Sequence, residues 1–121
     1  MSEDITLKVK HNDEGKLLEE CEYLGDLMHG KRTIWHPSGA KISVTDFVKG
    51  VMNGKHISWY LSGRVALEAT VVNGHYHGLF VAYWPNSTKR EEGHLENGER
   101  VGVFKSWSDT GELLAEKNHD E

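Results

Sequence analysis

His75-Tyr76-His77 is the densest cluster of chemically active side chains in the sequence. Residues two apart on an extended segment share a side, so the two imidazoles could share a metal ion. Structural zinc wants four ligands, and no spacing in the chain supplies a third. Carboxylates come next. Glu19-Glu20, Glu68 and Glu91-Glu92 offer pairs of the kind that cleave glycosides when held a few ångströms apart. Glu20, Glu68 and Glu92 recur at one repeat position, however, which suits a charged stripe better than a differentiated acid–base pair. Cys21, the single cysteine, shares its repeat position with the small residues Thr45, Ala69 and Gly93. That is a packing position, whereas a nucleophilic thiolate needs an exposed pocket and a positioned base. Neither a phosphate-cradling glycine loop ahead of a helix nor a zinc-protease His-Glu motif occurs. No catalytic residue, metal site or cofactor is expected, and the chain reads as non-enzymatic.

The elements that would position any site are short. The 121 residues include thirteen glycines and two prolines, and four Trp, four Tyr and three Phe supply most of the large apolar surface. This is the profile of one folded β domain rich in turns, not of a disordered segment. The net charge is −5, from 14 Lys and Arg against 19 Asp and Glu, and no basic run is visible. A nucleic-acid ligand is therefore not expected, and an anionic membrane is a poor one. One cysteine allows no internal disulfide. The start, Met1-Ser2-Glu3-Asp4, is acidic where a signal peptide is basic, and no apolar run reaches the length of a spanning helix. Cytoplasmic residence is expected.

A period of 24 runs through the chain. Gly30, Gly54, Gly78 and Gly102 form one column, and Trp35, Trp59, Tyr83 and Trp107 another. Tyr23, Phe47, Val71 and Leu95 form an apolar column, and Gly15, Gly39, Gly63 and Gly111 mark the unit starts, with Ser87 in the fourth place. The units are 15–38, 39–62, 63–86 and 87–110. Residues 3–14 supply a preceding strand, and 111–121 form a partial cap. Each unit holds two extended runs around a glycine turn such as Asn73-Gly74, which is a hairpin signature. Glycine interrupts every stretch too often for a helix. The expected fold is all-β: an elongated, twisted antiparallel sheet of tandem hairpins, each leaning on its neighbours.

Alternation along the strands assigns sides. The aromatic column Trp35, Trp59, Tyr83 and Trp107 is expected to form an interior ladder against the first strands. The column Gly30, Gly54, Gly78 and Gly102 is then needed where a neighbouring ring or turn leaves no room for a Cβ. Tyr23 and Phe47 belong to the same scaffold. The other side carries Arg32, His36, His56, Tyr60, Phe80, Trp84 and Phe104. That variable set is a ligand-facing patch, a second packed layer, or a homodimer surface. Of the histidines, His29 and His77 are expected to hold turns.

These columns resemble the MORN repeat, and the bacterial 24-residue variant found in YwqK-type antitoxins most of all. The first unit carries Tyr23, His29, Gly30, Trp35 and Gly39, and the second Phe47, Gly50, Gly54, Trp59 and Gly63. The third carries Gly74, His77, Gly78 and Tyr83, and the fourth Gly98, Gly102, Trp107 and Gly111. Val71 and Leu95 depart from the leading aromatic, Asn53 and Val101 from the histidine, and the Gly-Glu-Trp/Phe stretch of eukaryotic repeats is absent. The resemblance spans Gly15 to Gly111. It implies a protein-binding role, including neutralisation of a toxin encoded nearby, and it names no active residues. An acidic face covering a basic partner would fit that role. The alternatives are a self-assembling structural repeat that forms a homo-oligomer, and a lipid-binding repeat.

Overall fold

The computed structural model describes residues 4–120. Ten strands lie side by side in chain order as one antiparallel sheet. They are β1 (Ile5–His11), β2 (Leu17–Leu24), β3 (Leu27–Trp35), β4 (Lys41–Val48), β5 (Val51–Trp59), β6 (Val65–Val72), β7 (His75–Tyr83), β8 (Lys89–Glu96), β9 (Glu99–Trp107) and β10 (Leu113–Asn118). The first strands of successive hairpins begin at Leu17, Lys41, Val65, Lys89 and Leu113, and the second strands at Leu27, Val51, His75 and Glu99. Both series step by 24, and the fold is the expected array of hairpins. Among the described residues there is no helix long and apolar enough to cross a membrane. Residues 111–121 do more than cap: β10 continues the ladder with Glu116 opposite Lys105 and Lys117 opposite Phe104. The expected first strand spans Ile5–His11, and Glu3 and Glu121 lie outside the described residues.

Local chemistry explains the register. Val72 pairs with His75 across the two-residue turn Asn73-Gly74, whose φ angles of 50° and 85° are both positive. That is the geometry of a tight hairpin turn, and Asn followed by Gly adopts it at least cost. Three of these turns are also tied to the preceding hairpin: Gly50, Gly74 and Gly98 donate their N–H groups to the carbonyls of Met28, Met52 and Tyr76 at 2.7, 2.8 and 2.9 Å. At the other edge, Gly63 N–H donates to Tyr60 O at 2.9 Å, and Ser87 N–H to Trp84 O at 2.9 Å. Pro85 sits second in that turn, where its fixed φ suits and its missing N–H costs nothing.

Every second strand bulges. Cys21 faces Arg32 while Tyr23 faces Met28, so β3 carries two more residues than β2 over the same span. Thr45/His56 with Phe47/Met52, and Ala69/Phe80 with Val71/Tyr76, repeat the step. The column glycine sits in this bulge. Gly54 has φ +131°, and a Cβ there would lie 2.7 Å from Asp46 Cβ. The expectation that a ring or turn crowds these glycines is corrected. At Gly30 and Gly54 the neighbour is a carboxylate side chain on the preceding strand, Glu22 or Asp46, which accepts the amide that the bulge leaves over, whereas at Gly78 a Cβ would meet only Thr70 Cβ at 3.8 Å. Lys31 N–H donates to Glu22 Oε1 at 3.0 Å, and Lys55 N–H to Asp46 Oδ2 at 3.0 Å.

The assignment of sides is also corrected. Residues directly opposite in an antiparallel pair share a face. A ladder through Cys21, Arg32, Thr45, His56, Ala69, Phe80 and Gly93 therefore runs along one side. That is the packed side, where Cys21, Thr45, Ala69, Val71, Leu95 and Phe104 are buried, while Val81, buried too, lies on the other side between Glu68 and Glu92. Trp35, Trp59, Tyr83 and Trp107 lie on the opposite side and are only half-buried. They are not an interior ladder. The chain exposes 7902 Å², against about 6,600 Å² for a compact protein of its mass. One layer of sheet has nothing to cover its second face.

Candidate binding surface

The seven side chains expected on a binding face are mostly engaged within the chain. Arg32 forms an ion pair with Glu19, which Lys10 also reaches at 3.1 Å. Burial opposes ionisation of Glu19, but the hydrogen bonds and positive charges of Lys10 and Arg32 outweigh it and hold the carboxyl below its ordinary value. His56 Nδ1 lies 2.7 Å from Thr45 Oγ1, and burial lowers the imidazole's basicity. Burial likewise raises the Cys21 thiol, the opposite of an activated nucleophile. Phe80 packs between Tyr76 and Phe104, with ring centroids 5.6 and 6.1 Å away. Phe104 is 6% exposed and belongs to the core.

The remaining three stitch one edge of the sheet. The Tyr60 hydroxyl donates to the Tyr83 carbonyl at 2.6 Å, and Trp84 Nε1–H donates to the Trp107 carbonyl at 2.9 Å. His36 closes its own turn, with Nδ1 3.0 Å from Ser38 Oγ. Bonds of Tyr60 and Trp84 to the next hairpin are what stacking repeats need, and a period with aromatics at the strand end and just beyond it is the signal that could have found them. At the opposite edge, Lys49 N–H donates to His29 Nδ1 at 3.1 Å, so His29 does hold a turn, while His75 and His77 are exposed. Among the described residues no group of three His, Cys, Asp or Glu stands close enough to hold a metal ion.

What the sequence reading missed is the other side. Ile5, Leu7 and Val9 of β1, Leu27 of β3, Val48 of β4, Val51 of β5, Val72 of β6, Leu79 of β7 and Val103 of β9 lie there, each 38–54% exposed. The signal was present in the two-residue turn. Val72 opposite His75 forces odd residues of β6 to pair with even residues of β7, and a two-residue bulge preserves that parity. Phe80 then falls beside Ala69, and Leu79 on the far side with Val72. The mid-line of this open side reads Val9, Glu20, Thr33, Val44, Ile57, Glu68, Val81, Glu92, Lys105 and Glu116. Glu20, Glu68 and Glu92 share it, but apolar residues separate them, so they make no continuous acidic stripe.

The hollows along the open side are shallow. One of 210 Å³ is lined by Lys55, Ile57, Glu68, Thr70, Leu79 and Val81, and another of 290 Å³ by Ile5, Leu7, Glu20, Glu22, Lys31 and Thr33. Both are smaller than the roughly 300–1,000 Å³ typical of small-molecule sites. They suit side chains of a macromolecule laid over the sheet. No protein-family model matches the chain, and comparison with curated proteins gives no match.

Proposed function

We propose that this chain is a non-enzymatic protein-interaction module that takes its partner on the open side of the sheet. One observation carries the reading: the aliphatic side chains of Ile5, Leu7, Val9, Leu27, Val48, Val51, Val72, Leu79 and Val103 share one face, exposed, with no second layer over them among the described residues. Exposed apolar side chains gathered on one face and interspersed with charged ones suit an interaction site. Covering it is worth about 25 cal/mol for each Å² removed from water. The narrower role, neutralising a toxin encoded nearby in the cytoplasm, rests on the resemblance to the MORN-like antitoxins.

The test is co-purification with the product of an adjacent gene. Val51→Glu and Leu79→Glu stand at exposed positions and leave the packed side untouched. Loss of the partner in these variants, with an unchanged circular dichroism spectrum, supports the reading. A partner held equally well by both variants would overturn it. Growth rescue on co-expression decides whether that partner is a toxin.

A further inference from the structure

Charge that the sequence scatters is collected by the register. Lys41 opens β4, Arg64 precedes β6, and Lys89 and Arg90 open β8, all at the edge where Trp35, Trp59, Tyr83 and Trp107 end their strands. Trp35 pairs with Lys41 and Tyr83 with Lys89, and Lys41 Nζ lies 5.9 Å from the Trp59 ring centroid. The segments 36–42, 60–67 and 84–90 contain these four cations and no Asp or Glu. Lys89 is tied to Glu92 at 2.9 Å. Lys41, Arg64 and Arg90 have no ion-pair partner among the described residues: Arg64 donates to the Pro85 carbonyl at 3.3 Å, and Arg90 stands over the Trp84 ring at 4.9 Å. A protein of net charge −5 thus carries a basic, aromatic stretch in the middle of this edge, between the acidic turns that hold Asp13 and Glu14 at one end and Asp109 and Glu112 at the other.

The geometry points to an acidic, proline-rich segment of the partner, bound in the polyproline II conformation across the strands along this edge. The inference rests on the partner-binding reading and names the chemistry recognised. Charge complementarity sets the sign, because carboxylates on the segment meet Lys41 beside the Trp59 ring, and Arg64 and Arg90 at the same edge add to the positive field. Spacing sets the conformation. Neighbouring strands lie about 4.8 Å apart, so aromatics on alternate strands recur at about 9.6 Å. A polyproline II helix repeats every three residues at about 9.3 Å, which brings one residue of each turn to each gap between rings. Aromatic-lined grooves are the surfaces on which such segments dock. A single-stranded nucleic acid fits less well, because it brings a charge at every nucleotide to a protein that is itself negative overall.

The experiment titrates the full chain with a blocked synthetic peptide of four Glu-Pro-Pro repeats, its Lys-Pro-Pro counterpart and a twelve-residue oligothymidine, followed by the indole N–H signals in nuclear magnetic resonance spectra. The acidic peptide is expected to shift Trp35, Trp59 and Trp107, while Trp84, whose N–H is held by a carbonyl, moves least. Its affinity should fall with added salt, and by about tenfold or more in the Lys41→Glu, Arg64→Glu double variant. Absence of shifts, equal binding of the Lys-Pro-Pro peptide, or tighter binding of oligothymidine would each overturn the assignment. The two readings separate cleanly. A natural partner lost in Val51→Glu but kept in the double variant leaves the open side standing and removes the edge.

Discussion

The phenyl ring of Phe104 lies directly on Gly93. A Cβ at Gly93 would stand 2.7 Å from Phe104 Cγ, with Cδ2 closer still. The pair shows what the two middle columns of the packed side do for each other. Cys21, Thr45, Ala69 and Gly93 are small so that Arg32, His56, Phe80 and Phe104 can lie over them. The fourth unit joins the smallest residue to a phenylalanine.

Gly93→Ala should therefore destabilise the array by about 1–3 kcal/mol, the usual range for overpacking. Phe104→Leu in the same chain should recover part of that loss, because a shorter side chain clears the added methyl. Urea denaturation of the two single variants and the double variant checks this. Strictly additive losses would show that the ring does not need the glycine.

Two glycines with positive φ should respond differently. Gly63 has φ +92° and nothing near a built Cβ, so Gly63→Ala carries only the conformational cost of about 1–2 kcal/mol. Gly54, at φ +131°, adds a clash with Asp46. Gly54→Val should cost at least about twice as much, and in a marginally stable array it should leave the chain unfolded. Thermal melts that coincide for the two variants would contradict the bulge account.

Glu19 makes stability depend on acid. Its folded carboxyl titrates below the ordinary 4.5, so its contribution is full above that value and is lost as pH falls through the lower folded value. Glu19→Gln should melt below the parent at pH 7. The gap should close once both chains are below the folded value. Melting curves at pH 7, 5 and 3 measure it, and a gap that persists unchanged at pH 3 would argue for lost packing in place of lost charge.

His56 has the same sign at higher pH. Its folded basicity is lowered from 6.5 by burial, so the unfolded chain takes up the proton first. Stability is full above about 6.5 and falls as the pH drops towards the folded value. His56→Gln should flatten that limb of the stability profile. A parent profile with no slope below neutrality would show that the imidazole is free to protonate in place.

Trp84→Phe keeps most of the ring and removes the indole donor to the Trp107 carbonyl. The expected loss is about 1 kcal/mol, that of one part-buried hydrogen bond. An unchanged denaturation midpoint would return Trp84 to the list of side chains free to meet a partner.

Much of the fold was legible. Strands recur with the glycine and aromatic columns, and the turns stand at Asn73-Gly74 and around Pro37 and Pro85. The binding surface was not, because alternation sorts residues into two sets without saying which set is covered. Trp59 and Phe80 are both large and apolar, and composition favours burying either. The deciding step was the pairing of Ala69 with Phe80, which puts a small residue under a ring on one side and leaves Leu79 and Val72 in water on the other. Glu22 and Asp46 were not singled out for a similar reason, since nothing in an acid's sequence position shows that it accepts a bulge amide nine residues on.

By itself the sequence determined the repeat, its length and its all-β character, because turn chemistry and strand propensity act over a few neighbouring residues. Only the tertiary structure decided which face is packed and where charge gathers. Those properties belong to residues about a repeat apart that share a side, and a cross-strand register is what brings them together.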